Sequence, residues 1–219
     1  MDTLAAAHAA LDTSLHDQAP APVLDTIAES LAALARSGLG EHALRRGERA
    51  PEFVLRDATG ASVDSRRLRQ RGPLVLCFYR GAWCPYCNLE LRAWREHLPD
   101  LERLGATLVA ISPQTPDASL TLVEKHALTY PVLSDRGNAV ARRFGLVYTV
   151  DAGMRAVLDG FGIDLPAHNG ESTFELPVPA TYIVGGDATI VGAWVDVDYR
   201  RRAEPSAVLA RVREVVGPV

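Results

Sequence analysis

Two of the three cysteines stand as Cys84-Pro85-Tyr86-Cys87, a spacing that admits redox chemistry, metal binding or inert packing. Zinc would need a second pair of ligands. The histidines at 8, 16, 42, 97, 126 and 168 show no paired spacing, and Cys77 is the only other thiol, so no metal site is expected. Inert packing fits the surroundings poorly. Leu74 to Tyr79 is an unbroken apolar run, as in a strand covered on both faces, and Pro85 opens a helical pattern. A strand therefore hands over to a helix through a tight turn, with Cys84 at the helix N-cap. There a thiolate faces unpaired backbone N–H groups and the positive end of the helix dipole, which lower a thiol pKa. Cys87 lies one turn deeper and is expected to be less exposed. The expected chemistry is attack by Cys84 followed by closure of a Cys84–Cys87 disulfide.

The residues around the pair receive secondary roles. Arg80, at the strand end, offsets the thiolate's charge or donates a hydrogen bond to a substrate oxygen; its alternative is a solvated turn residue. Trp83 reads as a lid or partner contact that shields the thiol by packing. Cys77, inside the apolar strand, reads as a small buried hydrophobe. Arg200-Arg201-Arg202 reads as a solvated turn. Gly185-Gly186 with Gly192 lacks the spacing and the strand-to-helix context of a dinucleotide loop, so no flavin or nicotinamide cofactor is expected.

These residues need a scaffold, and the rest of the chain describes one. Leu4, Leu11 and Leu15, then Leu24, Ile27, Leu31 and Leu34, mark two amphipathic helices broken at Ala19-Pro20-Ala21-Pro22, the second ending near Gly38. Residues 1–48 are read as a helical extension and 49–219 as the catalytic domain. Short apolar strands then alternate with helical segments. Thr181–Val184 and Ile190–Val195, separated by Gly185-Gly186-Asp187, form a β-hairpin, and Pro205–Val216 closes the chain as a helix. Residues 151–178 carry no clear period and read as a long insertion with one short helix. The whole is an α/β architecture whose sheet is mixed.

Composition sets outer limits. Lys plus Arg is 23 against 27 Asp plus Glu, a net charge of −4, so nucleic acid is not an expected partner. No apolar stretch approaches the roughly 20 residues needed to span a bilayer. The first residues lack the basic start of a secretory signal, and three cysteines do not make a disulfide framework; the expected location is the cytoplasm.

Several segments in order resemble the peroxiredoxins of the alkyl hydroperoxide reductase and thiol-specific antioxidant family. They are Ala50-Pro51-Glu52-Phe53 through Gly60, Ala110-Ile111-Ser112, Tyr130-Pro131-Val132-Leu133-Ser134-Asp135, Ala141 to Leu146 and Ala180-Thr181-Tyr182-Ile183-Val184. The resemblance implies a thioredoxin fold, a peroxide substrate, and Cys84 as the peroxidatic cysteine. Two positions depart from the family. Gly81 stands where a threonine is usual, and Pro179 stands where an arginine is usual. Pro179-x-Thr181 instead resembles thioredoxin-type reductases, with a cis-proline against the cysteine pair, and Cys-Pro-Tyr-Cys resembles the glutaredoxin motif. A cis Val178–Pro179 bond is therefore expected. The reading is an antioxidant thiol peroxidase recycled by a thioredoxin- or glutaredoxin-like dithiol, with homodimer association implied. The alternatives are a disulfide reductase using the same residues and a redox-responsive binding module presenting the N-terminal helices.

Overall fold

The computed structural model describes residues 3–217. Residues 1, 2, 218 and 219, at the outer ends of the two expected units, lie outside the described residues. The chain opens with α1 (Leu4–Gln18), α2 (Ala21–Arg36) and a single turn, α3 (Leu39–His42). The body follows as β1 (Val54–Asp57), β2 (Ser62–Asp64), α4 (Ser65–Arg69), β3 (Leu74–Phe78), α5 (Pro85–Arg103), β4 (Thr107–Ser112), α6 (Pro116–His126) and β5 (Val132–Ser134). Then come α7 (Ala139–Arg143), β6 (Val147–Thr149), α8 (Ala152–Gly160), α9 (Leu165–Asn169), β7 (Glu175–Pro177), β8 (Ala180–Val184), β9 (Ile190–Val195) and α10 (Pro205–Val216).

One sheet runs in the order β2-β1-β5-β4-β3-β8-β9. Strands β3, β4 and β5 are parallel, whereas β8 is antiparallel to β3 and β9 to β8. The sheet is mixed, as the hairpin pattern implied. Side chains alternate between the two faces of a strand, and β3 uses both. Val75 and Cys77 join Leu91 and Trp94 of α5 and Val208 and Val212 of α10. Leu74, Leu76 and Phe78 meet Phe144, Leu146 and Tyr182 on the opposite face.

Two expectations are corrected. Residues 151–178 hold two helices and a strand rather than one helix. Asp151 caps α8 by accepting from the Met154 N–H, Asp164 caps α9 by accepting from the Ala167 N–H, and β7 pairs with β6. The Val178–Pro179 bond is trans; among the described residues no peptide bond is cis. The chain runs extended from β7 into β8, and the Val178 N–H donates to the Leu146 carbonyl at 2.7 Å, which fixes that path.

The extension lies on the body. Thr3 caps α1, and the carboxylate of Glu204 accepts from the Leu4 and Ala5 N–H groups at 3.2 and 2.7 Å, satisfying donors that a helix start leaves free. Helix α1 packs on α5 and α2 on α8, and Leu11 and Leu31 join the core beneath them. Among the described residues no helix is long and apolar enough to cross a membrane.

Candidate active site

The turn after β3 is held at several points. The Tyr79 N–H donates to Ile111 O at 3.0 Å, the Ala82 N–H to Gln114 Oε1 at 2.6 Å, and Asn88 Nδ2 to Ala82 O at 2.9 Å. Cys84 is the N-cap of α5 and Pro85 its first residue, as expected. Gly81 has a local reason: a Cβ there would collide with the Trp83 indole, which folds back over the turn. The space that a threonine side chain would need belongs to the tryptophan.

Both sulfurs are sealed. Cys84 is 1% exposed and Cys87 0%, so the expected difference in accessibility is absent. The extension packs on the same core and on the cysteine turn. Leu11, Leu31 and Trp83 pack against the core cluster that contains Cys84. The Tyr86 hydroxyl, from the middle of the motif, donates to Asp12 of α1. The ring nitrogens of buried His8 lie 3.1 Å from Tyr86 O and 2.9 Å from Arg200 O.

Two guanidinium groups flank the pair. Arg80 is 3% exposed, which excludes a solvated turn residue. Its guanidinium carbon lies 4.8 Å from the Trp83 ring centroid and 4.2 Å from that of Tyr199; among the described residues it has no carboxylate partner, and its Nε has no acceptor. Arg202 corrects the other surface expectation. Its side chain is 2% exposed and ion-paired with Glu90, itself 1% exposed, while its Nη2 donates to Cys87 Sγ at 3.4 Å and its Nε to Tyr199 O at 2.7 Å. Of the three consecutive arginines, only Arg201 is largely exposed.

This arrangement decides where the negative charge rests. Burial pushes the Cys84 thiol well above its ordinary value, and its hydrogen bond to Cys87 raises it further, against the pull of Arg80 and Arg202. Burial also opposes ionisation of Cys87, but the hydrogen bond from Cys84 and the Arg202 guanidinium outweigh it and hold Cys87 well below. The expectation that Cys84 has the lower pKa is thus corrected. The helix N-terminus supplies partial charge to the first cysteine; Arg202 brings a full charge to the second. Burial raises the Glu90 carboxyl, with Arg202 opposing, and burial raises the Cys77 thiol, with Glu90 adding to it. Cys77 is a fully buried strand residue, as its setting suggested.

Thr181 pairs with Cys77 across β8 and β3. It lines, with Pro179, Glu90, Trp194 and Arg202, a cavity of about 340 Å³. The structure thus brings Pro179 and Thr181 to the Arg202 end of the site. Sequence reasoning missed Arg202 and Glu90. Glu90 carried a usable signal, because it shares the helical face of Cys87, Leu91 and Trp94, and a carboxylate on a buried face demands a cation. Arg202 carried none, since nothing local separates it from Arg201.

A family model described as the AhpC/TSA family matches residues 46–193. The chain belongs to the AhpC/TSA family. Both cysteines fall inside the family match, whereas α1, α2 and α3 lie outside it. Among curated relatives, "Peroxiredoxin Q, chloroplastic" of Gentiana triflora is 30% identical over 101 residues, 46% of this chain and 46% of that protein. "Thiol-disulfide oxidoreductase ResA" of Halalkalibacterium halodurans is 28% identical over 103 residues, 47% of this chain and 57% of that protein. The chain spans between 46% and 64% of the length of the first relatives it matches. The crystal structure of peroxidoxin BcpB from Mycobacterium tuberculosis superposes with a TM-score of 0.62 at 23% identity, covering 78% of this chain and 98% of that one. That likeness shows the fold, a thioredoxin fold to which this chain adds N-terminal helices.

Proposed function

We propose that this protein is an antioxidant thiol peroxidase that reduces hydrogen peroxide or organic hydroperoxides, with Cys84 as nucleophile and Cys87 as resolving thiol. The observation that carries the reading is the buried, carboxylate-free guanidinium of Arg80 beside a dithiol closed to macromolecules. A peroxide is small enough for such a site and needs a donor where its leaving oxygen gathers charge. A disulfide reductase needs an open groove instead, and Cys84 is buried. The similarity to ResA supports disulfide exchange as the second reading, and exchange also serves to recycle the enzyme.

One proton shared by the two sulfurs is central to the steps. With the charge on Cys87, transfer of the Cys84 proton to Cys87 leaves a Cys84 thiolate facing Arg80 and the N-terminus of α5. The thiolate attacks the terminal oxygen of R–O–O–H, the O–O bond breaks, and Cys84 becomes the sulfenic acid. The departing alkoxide takes the proton from Cys87, which restores the Cys87 thiolate against Arg202. That thiolate attacks the Cys84 sulfur, forming the disulfide and releasing hydroxide, which takes a proton from buffer acid and leaves as water. An external thioredoxin- or glutaredoxin-like dithiol then returns the pair to thiols by exchange. Arg80 supplies the positive charge that the family places at position 179, while Arg202, paired with Glu90, holds Cys87.

The proposed unit boundary lies at residue 48. A homodimer and a cytoplasmic location, where reductant thiols are plentiful, complete the reading. The test is stopped-flow oxidation of the reduced protein by hydrogen peroxide beside insulin-disulfide reduction. Peroxide oxidation far faster than that of a free thiol is expected, abolished by Cys84→Ser, with Cys87→Ser leaving a sulfenic acid that dimedone traps. Peroxide rates no better than a free thiol's, beside efficient insulin reduction, would give the site to disulfide exchange.

A further inference from the structure

The extension does more than pack on the cysteine turn. Between α2 and α8 lies a cavity of about 420 Å³, within the range of small-molecule sites. Two facing walls carry apolar side chains: Ile27, Leu31 and Leu34 of α2 stand opposite Val150 and Met154. Polar side chains line it as well, Arg80, Tyr148 and Tyr199 together with His42 and Asp151, so a space with apolar walls also holds the buried Arg80 cation. Ser30 of α2 donates to Asp151, the N-cap of α8, and so ties the two walls together at the rim.

Three observations meet here. The Arg80 guanidinium is buried, has an Nε without an acceptor, and is faced by rings rather than by a carboxylate. A buried cation so placed calls for an oxygen-rich partner. The Arg80 guanidinium lies 4.8 Å from the ring centroid of Trp83, the residue before Cys84, so the charge stands beside the turn that carries the nucleophile. The apolar walls call for a hydrocarbon. One occupant satisfies all three. The geometry points to this cavity as the binding site for the organic part of a bulky apolar hydroperoxide, its peroxide group at Arg80 and its hydrocarbon between α2 and α8. The N-terminal extension is therefore a specificity element, forming one wall of a substrate site that the family-matched region alone does not complete.

The inference rests on the peroxidase reading and adds the substrate's shape. The chemistry is that already written: the thiolate gains the terminal oxygen, sulfur is oxidised by two electrons, and R–O⁻ leaves as the alcohol R–OH, which keeps the same hydrocarbon and hence the same affinity for the walls.

The experiment has a kinetic and a binding arm, both on the full-length reduced protein. Oxidation is timed by stopped flow with hydrogen peroxide, tert-butyl hydroperoxide and cumene hydroperoxide. Cumene hydroperoxide should react at least tenfold faster than hydrogen peroxide. Leu34→Trp and Met154→Trp, which fill the cavity from opposite walls, should each lower the cumene-to-hydrogen-peroxide rate ratio by tenfold or more, with folding checked by circular dichroism. Cumyl alcohol, the unreactive product, should bind the reduced protein and shift the Met154 methyl resonance, and Leu34→Trp should abolish that binding. An unchanged rate ratio in both variants, or no binding of cumyl alcohol to the wild type, overturns the inference. If no peroxide outpaces a free thiol, the peroxidase reading falls, while the alcohol arm still decides whether the cavity takes an apolar organic ligand.

Discussion

Two buried guanidinium groups stand on either side of one dithiol, and their surroundings differ. Arg202 is neutralised by Glu90 and touches Cys87; Arg80 is faced by Trp83 and Tyr199 and has no carboxylate partner among the described residues. A buried ion pair is a structural commitment, because removing one partner strands the other. A buried cation held by aromatic faces is a standing request for an anion. On the proposed mechanism the difference separates a residue that fixes the resting charge from one that meets charge created during reaction.

Removing Arg202 should produce the largest effect on stability. Arg202→Ala leaves the Glu90 carboxyl buried and alone, and is expected to cost about 3–5 kcal/mol in urea denaturation. Replacing both partners together, Arg202→Met with Glu90→Leu, should recover most of that loss. A double variant as unstable as the single one would show that the pair is not the source.

The Arg80 change should fall elsewhere. Arg80→Ala strands no carboxylate, and loses two ring contacts worth about 1–2 kcal/mol. Its kinetic cost is larger: peroxide oxidation should slow about a hundredfold, the usual size for losing one donor at a developing oxyanion. Insulin reduction should change by much less. Arg80→Lys should not restore the peroxide rate, because an ammonium cannot lie flat between two rings. Equal slowing of both reactions would remove the distinction between the two arginines.

The smallest effect is in the pH dependence of stability. Cys87 is held below its ordinary 9.0 and Cys84 above it. Folded Cys87 is ionised while the unfolded chain still holds that proton, so its contribution is complete above 9.0 and is lost as pH falls through its folded value. Cys84 acts oppositely, resisting ionisation when folded, so stability falls again as pH rises above 9.0. Relative to Cys84→Ala/Cys87→Ala, reduced wild type should gain stability from pH 7 to 9 and lose it beyond, with slopes no steeper than about 1.4 kcal/mol per pH unit. Single Cys87→Ser should abolish the rising limb. A rising limb that survives in Cys87→Ser and vanishes in Cys84→Ser would put the charge on the first cysteine.

Legibility in the sequence followed locality. The strand, the turn and the helix that begins at Pro85 were readable because each depends on neighbours within one or two turns. The helices capped by Asp151 and Asp164 carried readable capping residues, but with spans of nine and five residues they were too short to show a period. The burial of Arg202 was not readable, because it arises where a segment more than a hundred positions later docks against α5. The lower pKa of Cys87 failed for the same reason: the helix terminus is a local effect, and the overriding charge is a tertiary one. The match to family motifs supplied the fold but is silent on α1 and α2, which lie outside it.

Those two helices also set a clock. The sulfur of Cys84 is buried, and the Tyr86 hydroxyl and His8 fasten α1 to the cysteine turn. On the proposed mechanism a small oxidant would reach the sulfur past closed helices, whereas the sulfur of a protein dithiol would arrive on a whole domain and wait for them to part. Oxidation and recycling therefore obey different rate laws. The first rises with every increment of oxidant; the second levels off at the opening frequency of the helices, whichever reductant is supplied. On the proposed mechanism the molecule would dwell as a closed disulfide under a burst of oxidant, and the fastening of α1 would set the length of that dwell.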